Sequence, residues 1–63
     1  MSPHEAEQAR RLAHGVRMDE RMVKRMADGQ DRETVRLLGE VEKHLAGAAL
    51  ILELLVREAG GDA

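Results

Sequence analysis

The sequence lacks cysteine, asparagine and every aromatic residue, and it has a single proline among its 63 residues. Without cysteine no disulfide stabilises the chain, and the absence of thiols fits a reducing compartment, so we expect a cytoplasmic location. A chain this short buries only about 60% of the surface that its unfolded form exposes. We therefore expect one small domain, residues 1–63, that depends on a partner for its stability.

Segments that direct a chain to a membrane are also missing. Two acids, Glu5 and Glu7, stand where a signal peptide has a basic region, and no long apolar region follows them. A membrane-spanning helix needs about 20 apolar residues. The most apolar segment, residues 45–56, is shorter than that and includes Glu53. The sequence therefore predicts neither a signal peptide nor a membrane partner.

The first half of the chain has the pattern of one long helix. Ser2, Pro3 and Glu5 supply a capping hydroxyl, a proline at the first helical position and a glutamate that completes a capping box. Apolar residues then recur at helical spacing, which predicts helix 1 over about residues 3–27. Gly29 suits a left-handed C-terminal cap and Asp31 suits an N-cap, so a turn is predicted at residues 28–31.

The second half of the chain shows a sharper repeat. Its apolar seam predicts helix 2 over about residues 32–59, followed by a frayed tail at residues 60–63. Two long helices joined by a tight turn form an all-α antiparallel hairpin. The predicted seam consists of Thr34, Leu38, Val41, Leu45, Ala48, Leu52, Leu55 and Ala59.

Apolar residues of helix 2 also lie outside this seam, among them Leu50, Ile51 and Leu54. Val56 belongs to the same group. One partner helix covers only one stripe, so we expect two hairpins to associate as a dimeric four-helix bundle. The predicted oligomer interface consists of Leu38, Val41, Leu45, Ala48, Ile51, Leu52, Leu54 and Leu55.

Small residues are expected to face each other across the hairpin. With the turn centred near Gly29, Ala9 and Ala13 should lie beside residues 46–49, which are all alanine or glycine. Such surfaces let two helix backbones approach closely.

Methionines occur at every fourth position of helix 1 from residue 18 to residue 26. Methionine fills irregular cores and also serves adaptable binding surfaces. We expect Met22 and Met26 to pack in the core, and Met18 to be a partly exposed contact for a partner.

A basic stripe on helix 1 is the clearest charge pattern, and its members are Arg10, His14, Arg17, Arg21 and Lys24. The favoured interpretation is a solvated face that pairs with glutamates of helix 2, namely Glu33, Glu40 and Glu42. The alternative is binding to the phosphates of a nucleic acid. The net charge of −2 and the lack of aromatic residues for base stacking speak against that alternative.

Metal and catalytic sites receive little support from the sequence. His14, Glu40 and His44 could converge in a hairpin, but the Glu-x-x-His motif of di-iron bundles is absent, so we expect neither a metal nor a cofactor. The only hydroxyl side chains are Ser2 and Thr34, and the glycines match no phosphate-binding loop. The sequence thus predicts a protein that is not an enzyme.

The predicted architecture resembles that of Rop-like plasmid copy-number proteins, short hairpins that dimerise into a four-helix bundle and bind paired RNA loops. This resemblance implies nucleic-acid binding, to RNA or DNA, by the basic face of helix 1. A fainter similarity, to copper- and formaldehyde-sensing repressors of the CsoR/FrmR type, lies in residues 16–17 and 21–23 and in the helix 2 pattern of Leu38, Val41 and Leu45. Those repressors sense through cysteine, which this chain lacks, and Val56 stands where they have a late histidine.

The sequence favours a small non-catalytic regulatory or adaptor protein that acts through helical self-association and protein–protein interaction. In this interpretation the seam of helix 2 holds the assembly together. The polar faces of helix 1 then meet a protein partner.

Overall fold

Two long helices form the structure, a computed structural model that describes residues 1–61, with side chains described for residues 1–59. Helix α1 spans Pro3–Met26 and helix α2 spans Arg32–Gly61. The two helices pack side by side as a hairpin, so the predicted all-α hairpin is confirmed. The Cα atoms occupy a rod of 48 × 13 × 12 Å.

The start of α1 has the predicted capping box. The Ser2 hydroxyl accepts a hydrogen bond from the Glu5 backbone amide at 3.1 Å, and the Ser2 amide donates to the Glu5 carboxylate at 3.0 Å. Pro3 occupies the first helical turn, where its missing amide hydrogen costs nothing. Hydrogen bonding by the Ser2 backbone amide, and then by the Ser2 side chain, holds the pKa of the Glu5 carboxyl below its ordinary value.

The turn between the helices depends on Gly29 and Asp31. Gly29 has a φ of 74°, in the left-handed region that favours glycine. Asp31 caps α2, since its carboxylate accepts a hydrogen bond from the Thr34 amide at 2.8 Å. Hydrogen bonds from the Thr34 side chain and backbone lower the pKa of Asp31. Both residues therefore have the roles that the sequence predicts for them.

Helix α2 continues through Gly60 to Gly61, two residues beyond the predicted end at residue 59. Glycine tolerates helical backbone angles as well as left-handed ones, so a glycine pair permits a helix end without imposing it. Of the tail predicted at residues 60–63, Asp62 and Ala63 lie outside the described residues.

The centre of the hairpin is built from alanine. Ala9, Ala13 and Ala49 are the buried hydrophobic residues in the described part of the chain, with exposed fractions of 5%, 7% and 0%. An alanine in a two-helix molecule is covered only where the other helix approaches closely, so small residues do face each other. Gly47 and Ala48, expected at this contact, are exposed instead.

The side of α2 that faces α1, here called the inner seam, differs from the predicted one. Glu42, Ala49 and Val56 lie on it, whereas Val41 and Leu55, with Ala48, are exposed. The residues of the inner seam of α2 are Thr34, Leu38, Glu42, Leu45, Ala46, Ala49, Leu52, Val56 and Ala59.

The observed inner seam corresponds to a rotation of α2 about its own axis relative to the predicted seam. An ion pair between the helices accompanies this rotation. Arg17 of α1 donates hydrogen bonds to the Glu53 carboxylate at 2.8 Å. A rotation that placed Val41 and Leu55 inward would turn Glu53 away from Arg17, because successive residues differ by about 100° around a helix. The expectation that Val56 lies outside the seam is wrong for the same reason.

The hairpin is elongated and has a single layer of two helices. Its radius of gyration is 14.5 Å, whereas a globular chain of this length has a value of about 11 Å. No large side chain is fully buried within the described residues. Each helix therefore keeps most of its circumference available for other contacts.

Candidate interaction surfaces

The hairpin has two broad faces, one on each side of the inner seam. Residues that follow a seam position by one lie on one face, and residues that precede a seam position by one lie on the other. Because the helices are antiparallel, the corresponding flanks of α1 and α2 share a face. The Arg17–Glu53 ion pair shows this directly, since Arg17 follows Val16 and Glu53 follows Leu52 on the seam.

One of these faces, here called the apolar face, exposes large hydrophobic side chains from both helices. Ile51 is 67% exposed, Met22 is 60% exposed and Leu12 is 58% exposed. Neither lysine nor arginine occurs on these flanks in the described residues. The apolar residues of this face are Leu12, Met22, Met26, Leu37, Val41, Ala48, Ile51 and Leu55. The carboxylates on the same flanks belong to Glu5, Asp19, Glu33 and Glu58.

Met22 and Met26, which the sequence predicts in a core, do not pack in the contact between α1 and α2, because both are more than half exposed in the single hairpin. The seam of α1 is lined by smaller residues such as Ala13, Val16 and Val23. A methionine does not fit where alanines bring the two backbones together. The methionines therefore lie outside the contact between the helices.

The opposite face, here called the basic face, collects most of the positive charge. Six of the ten lysine and arginine residues lie on its flanks, together with His14. The carboxylates on the same flanks belong to Glu7, Asp28 and Glu53. The six cations are Arg10, Arg17, Arg21, Lys24, Lys43 and Arg57.

The basic face thus contains the whole stripe predicted on helix 1, and α2 adds two cations, Lys43 and Arg57, that the predicted stripe does not include. The signal for these two residues was present in the sequence, because they lie fourteen residues apart, a multiple of seven. Only the rotation of α2 against α1 brings the cations of the two helices to one face.

Arg17 is the most strongly paired cation of the basic face. It contacts Glu53 at 2.8 Å and Glu20 at 3.0 Å, and the Glu20 side chain is only 15% exposed. Hydrogen bonds to Glu53 and then to Glu20 raise the pKa of the Arg17 guanidinium. The same hydrogen bond from Arg17 lowers the pKa of Glu53. This pair links α1 to α2 at the edge of the seam.

The carboxylates that pair with the stripe are not the predicted ones. Glu33 contacts Arg36 of its own helix at 2.6 Å, and neither Glu40 nor Glu42 forms an ion pair in the described residues. Glu42 lies on the inner seam, and Glu40 lies on the outer side of α2. Rotation of α2 therefore leaves Glu53 as the cross-helix partner.

The remaining members of the stripe differ in their pairing. Arg10 contacts Glu7 at 2.6 Å. His14, Arg21 and Lys24 take part in none of the ion pairs found in the described residues. The middle and the turn end of the stripe thus carry cations without carboxylate partners.

The histidines do not converge on a metal site. His14 lies on the basic face and His44 on the flank of the apolar face, so the seam separates them. The Nδ1 atom of His44 lies 2.8 Å from the backbone carbonyl oxygen of Glu40. No group of three histidine or carboxylate side chains suited to a metal ion exists within residues that the structure describes.

Three depressions on the surface are each lined by a single helix. One on α1 is lined by residues that include Gln8, Leu12 and Gly15. One on α2 includes Gly47, Ala48 and Ile51, and another lies around Leu50, Glu53, Leu54 and Arg57. These are open surface grooves, two of them bordering the apolar face.

Neither described helix is long and apolar enough to cross a membrane. Comparisons with protein families, with curated proteins and with solved structures give no match for this chain. The two faces of the hairpin are therefore the features that indicate a function.

Proposed function

We propose that the chain is a small non-catalytic regulatory or adaptor protein that works as a homodimer, with two apolar faces packed together as a four-helix bundle. The observation that carries the proposal is the apolar face itself. It runs along both helices, contains no lysine or arginine in the described residues, and remains open in the single hairpin.

The small stabilisation expected of a single hairpin supports a second copy of the chain as the partner that covers the apolar face. The inner seam fully buries no large side chain and its buried residues are alanines. Alanine side chains bring little apolar area out of water, so the seam alone gives a small hydrophobic stabilisation. Burial of the apolar face supplies the missing area.

The dimensions of the hairpin also suit a dimer. A helix with its side chains is about 10 Å wide, so a face two helices wide and 48 Å long offers roughly 900 Å². Stable protein interfaces bury about 800 Å² on each partner. Two identical apolar faces are self-complementary under a two-fold axis, the commonest symmetry of homodimers.

Leu38, Leu45 and Leu52, which the sequence predicts at the oligomer interface, already pack towards α1 on the inner seam. The proposed interface keeps Val41, Ala48, Ile51 and Leu55 and adds Leu12, Leu37, Met22 and Met26. Flexible methionine side chains suit a surface that must repack when two copies meet. Leu54 lies on the outer side of α2 and stays outside it.

The non-catalytic part of the proposal is supported by how the few reactive side chains are used. The Ser2 hydroxyl is engaged in the cap of α1, and Thr34 is partly buried at the start of α2. The grooves of the described surface are open and lined by one helix each, unlike the concave pockets of enzymes. A cytoplasmic location belongs to the proposal because the chain has no cysteine.

The test compares two neighbouring substitutions on α2. Ile51 lies on the apolar face and is 67% exposed, whereas Leu50 lies towards the basic face and is 56% exposed. Sedimentation equilibrium at several concentrations should give a dimer for the unmodified protein. Ile51→Glu should weaken the dimer at least a hundredfold, since a charge would be buried without a partner.

Leu50→Glu is the matched control, because it introduces the same charge one residue away and should leave the dimer intact. Circular dichroism reports helix content for both variants. A monomeric unmodified protein at tens of micromolar, or equal dimerisation of the two variants, would overturn the proposal.

A further inference from the structure

The basic face is the feature that self-association leaves unexplained. Packing of two apolar faces places the two basic faces on opposite outer sides of the bundle. Each of them collects six of the ten cations of its chain and three carboxylates, although the chain as a whole has a net charge of −2. Such separation of charge by face exceeds what solubility requires of a small domain.

We propose that the basic face binds the phosphate backbone of a nucleic-acid duplex without reading its sequence. The inference deepens the proposed function by naming a partner class, and it rests on that function for the outward orientation of the two basic faces.

The geometry of the face suits an extended anion. Arg10, Arg17 and Lys24 are spaced seven residues apart along α1, about 10.5 Å at the rise of an α-helix. Lys43 and Arg57 form a second row along α2, and packed helices lie about 8–10 Å apart. A duplex offers a negative charge for about every 1.7 Å of its length. Two rows of cations along a rod match such a linear polyanion better than a compact one.

The chemistry of the face favours phosphate. Four of its six cations are arginines, and a guanidinium group donates two parallel hydrogen bonds to a phosphate. Four of the cations lie outside the ion pairs of the described residues, so they are available without breaking a carboxylate contact. These four are Arg21, Lys24, Lys43 and Arg57.

The same residues argue for a duplex over a single strand. Proteins that hold single strands stack the bases on aromatic side chains, and the sequence has no aromatic residue. Reading of adenine uses asparagine or glutamine; the sequence has no asparagine, and Gln8 and Gln30 lie outside the basic face. The basic face can therefore contact the phosphate backbone of the nucleic acid, and such contacts position a protein without specifying sequence.

An anionic membrane fits the arrangement less well. A helix that lies on a membrane buries its apolar side between the lipids while lysines and arginines flank that side at the headgroups. Here the cations lie across the inner seam from the apolar face. A membrane in contact with one face would leave the other in water.

The experiment measures fluorescence anisotropy of labelled 20-base-pair DNA and RNA duplexes of one sequence, with the matching single strands and phosphatidylglycerol vesicles as competitors. We expect binding of a duplex at 50 mM salt, with a slope of log K against log salt of about −4 for four phosphate contacts. The tighter of the two duplexes identifies the source of the phosphates.

Two double substitutions with equal net charge provide the control. Arg21→Gln with Lys24→Gln, and Arg11→Gln with Arg25→Gln, each change the net charge of −2 by two units, to −4. Arg11 and Arg25 are exposed on the outer side of α1, where neither residue is next to a seam position. The first should lower the affinity at 50 mM salt at least tenfold and reduce the slope by about 2. The second should bind within about threefold of the unmodified protein.

Three results would overturn the inference: no duplex binding at 50 mM salt, equal loss in both double variants, or preferential binding of single strands or vesicles. Sedimentation equilibrium on the same samples separates this inference from the proposed function. A dimer that does not bind duplexes overturns the inference alone, whereas a monomer that binds them overturns self-association alone.

Discussion

The two faces of this hairpin are built from the same two helices, yet they differ in almost every physical property. Among the described residues, the apolar face exposes leucine, isoleucine, valine and methionine and has no lysine or arginine, while the basic face has six cations and the three carboxylates of Glu7, Asp28 and Glu53. The difference teaches that, in a two-helix rod, the rotation of each helix about its own axis determines which residues share a face. A shift of one position around α2 would place apolar and basic residues on the same face.

The largest change in stability is expected at Ala49, because its contact with α1 separates the two faces on α2. This residue is fully covered by α1, so Ala49→Leu has no room for its side chain and should lower the free energy of unfolding by about 1–3 kcal/mol. Chemical denaturation at one fixed protein concentration measures the change.

Gly47→Leu is the control for Ala49→Leu. It adds the same side chain on the outer side of α2, where nothing lies within 4 Å of an added Cβ. A stability equal to or above that of the unmodified protein is expected, since leucine favours helices over glycine. Equal destabilisation by both variants would contradict the assigned rotation of α2.

A smaller effect is expected from substitution of two glycines, one in the turn and one in α2. Gly39 is helical with open space around an added Cβ, so Gly39→Ala should stabilise the protein by about 0.5–1 kcal/mol. Gly29 has a φ of 74°, and Gly29→Ala should destabilise by about 1 kcal/mol. Thermal unfolding followed by circular dichroism distinguishes the signs. A gain at Gly29 would show that the turn does not need a left-handed residue.

The smallest effect concerns the electrostatic contact at the edge of the basic face. Glu53→Gln removes the charge that pairs with Arg17 and should lower the melting temperature slightly at low salt. The pKa of Glu53 lies below its ordinary value of 4.5 because Arg17 donates hydrogen bonds to it. The stabilisation is therefore present above about pH 4.5 and is lost as the pH falls further.

Glu40→Gln serves as the control for Glu53→Gln, since Glu40 forms no ion pair in the described residues. Its melting temperature should match that of the unmodified protein across pH and salt. A difference between the two variants that persists at 1 M salt or at pH 3 would contradict an electrostatic contribution from Glu53.

The helix ends could be predicted because their signals are local. Ser2, Pro3 and Glu5 make the capping box within four residues of sequence, and Gly29 and Asp31 set the turn in the same way. A cap depends on hydrogen bonds between near neighbours, so no distant contact is needed to form it.

The choice of seam could not be predicted because α2 is apolar on two adjacent rows. Val41, Ala48 and Leu55 make a row as regular as the one that contains Ala49 and Val56. A single helix of α1 covers only one of them. The pattern of α2 by itself is therefore consistent with either rotation, and the residues of α1 decide between them.

By itself the sequence determined that the chain forms two helices, where their caps and turn lie, and that more apolar surface exists than one hairpin covers. Only the tertiary structure decided which row of α2 meets α1, which cations of α2 join the stripe of α1, and that Glu53 pairs with Arg17. The physical reason is that helix formation depends on contacts three or four residues apart, whereas the rotation of one helix against another depends on how closely Ala9, Ala13 and Ala49 approach across the seam.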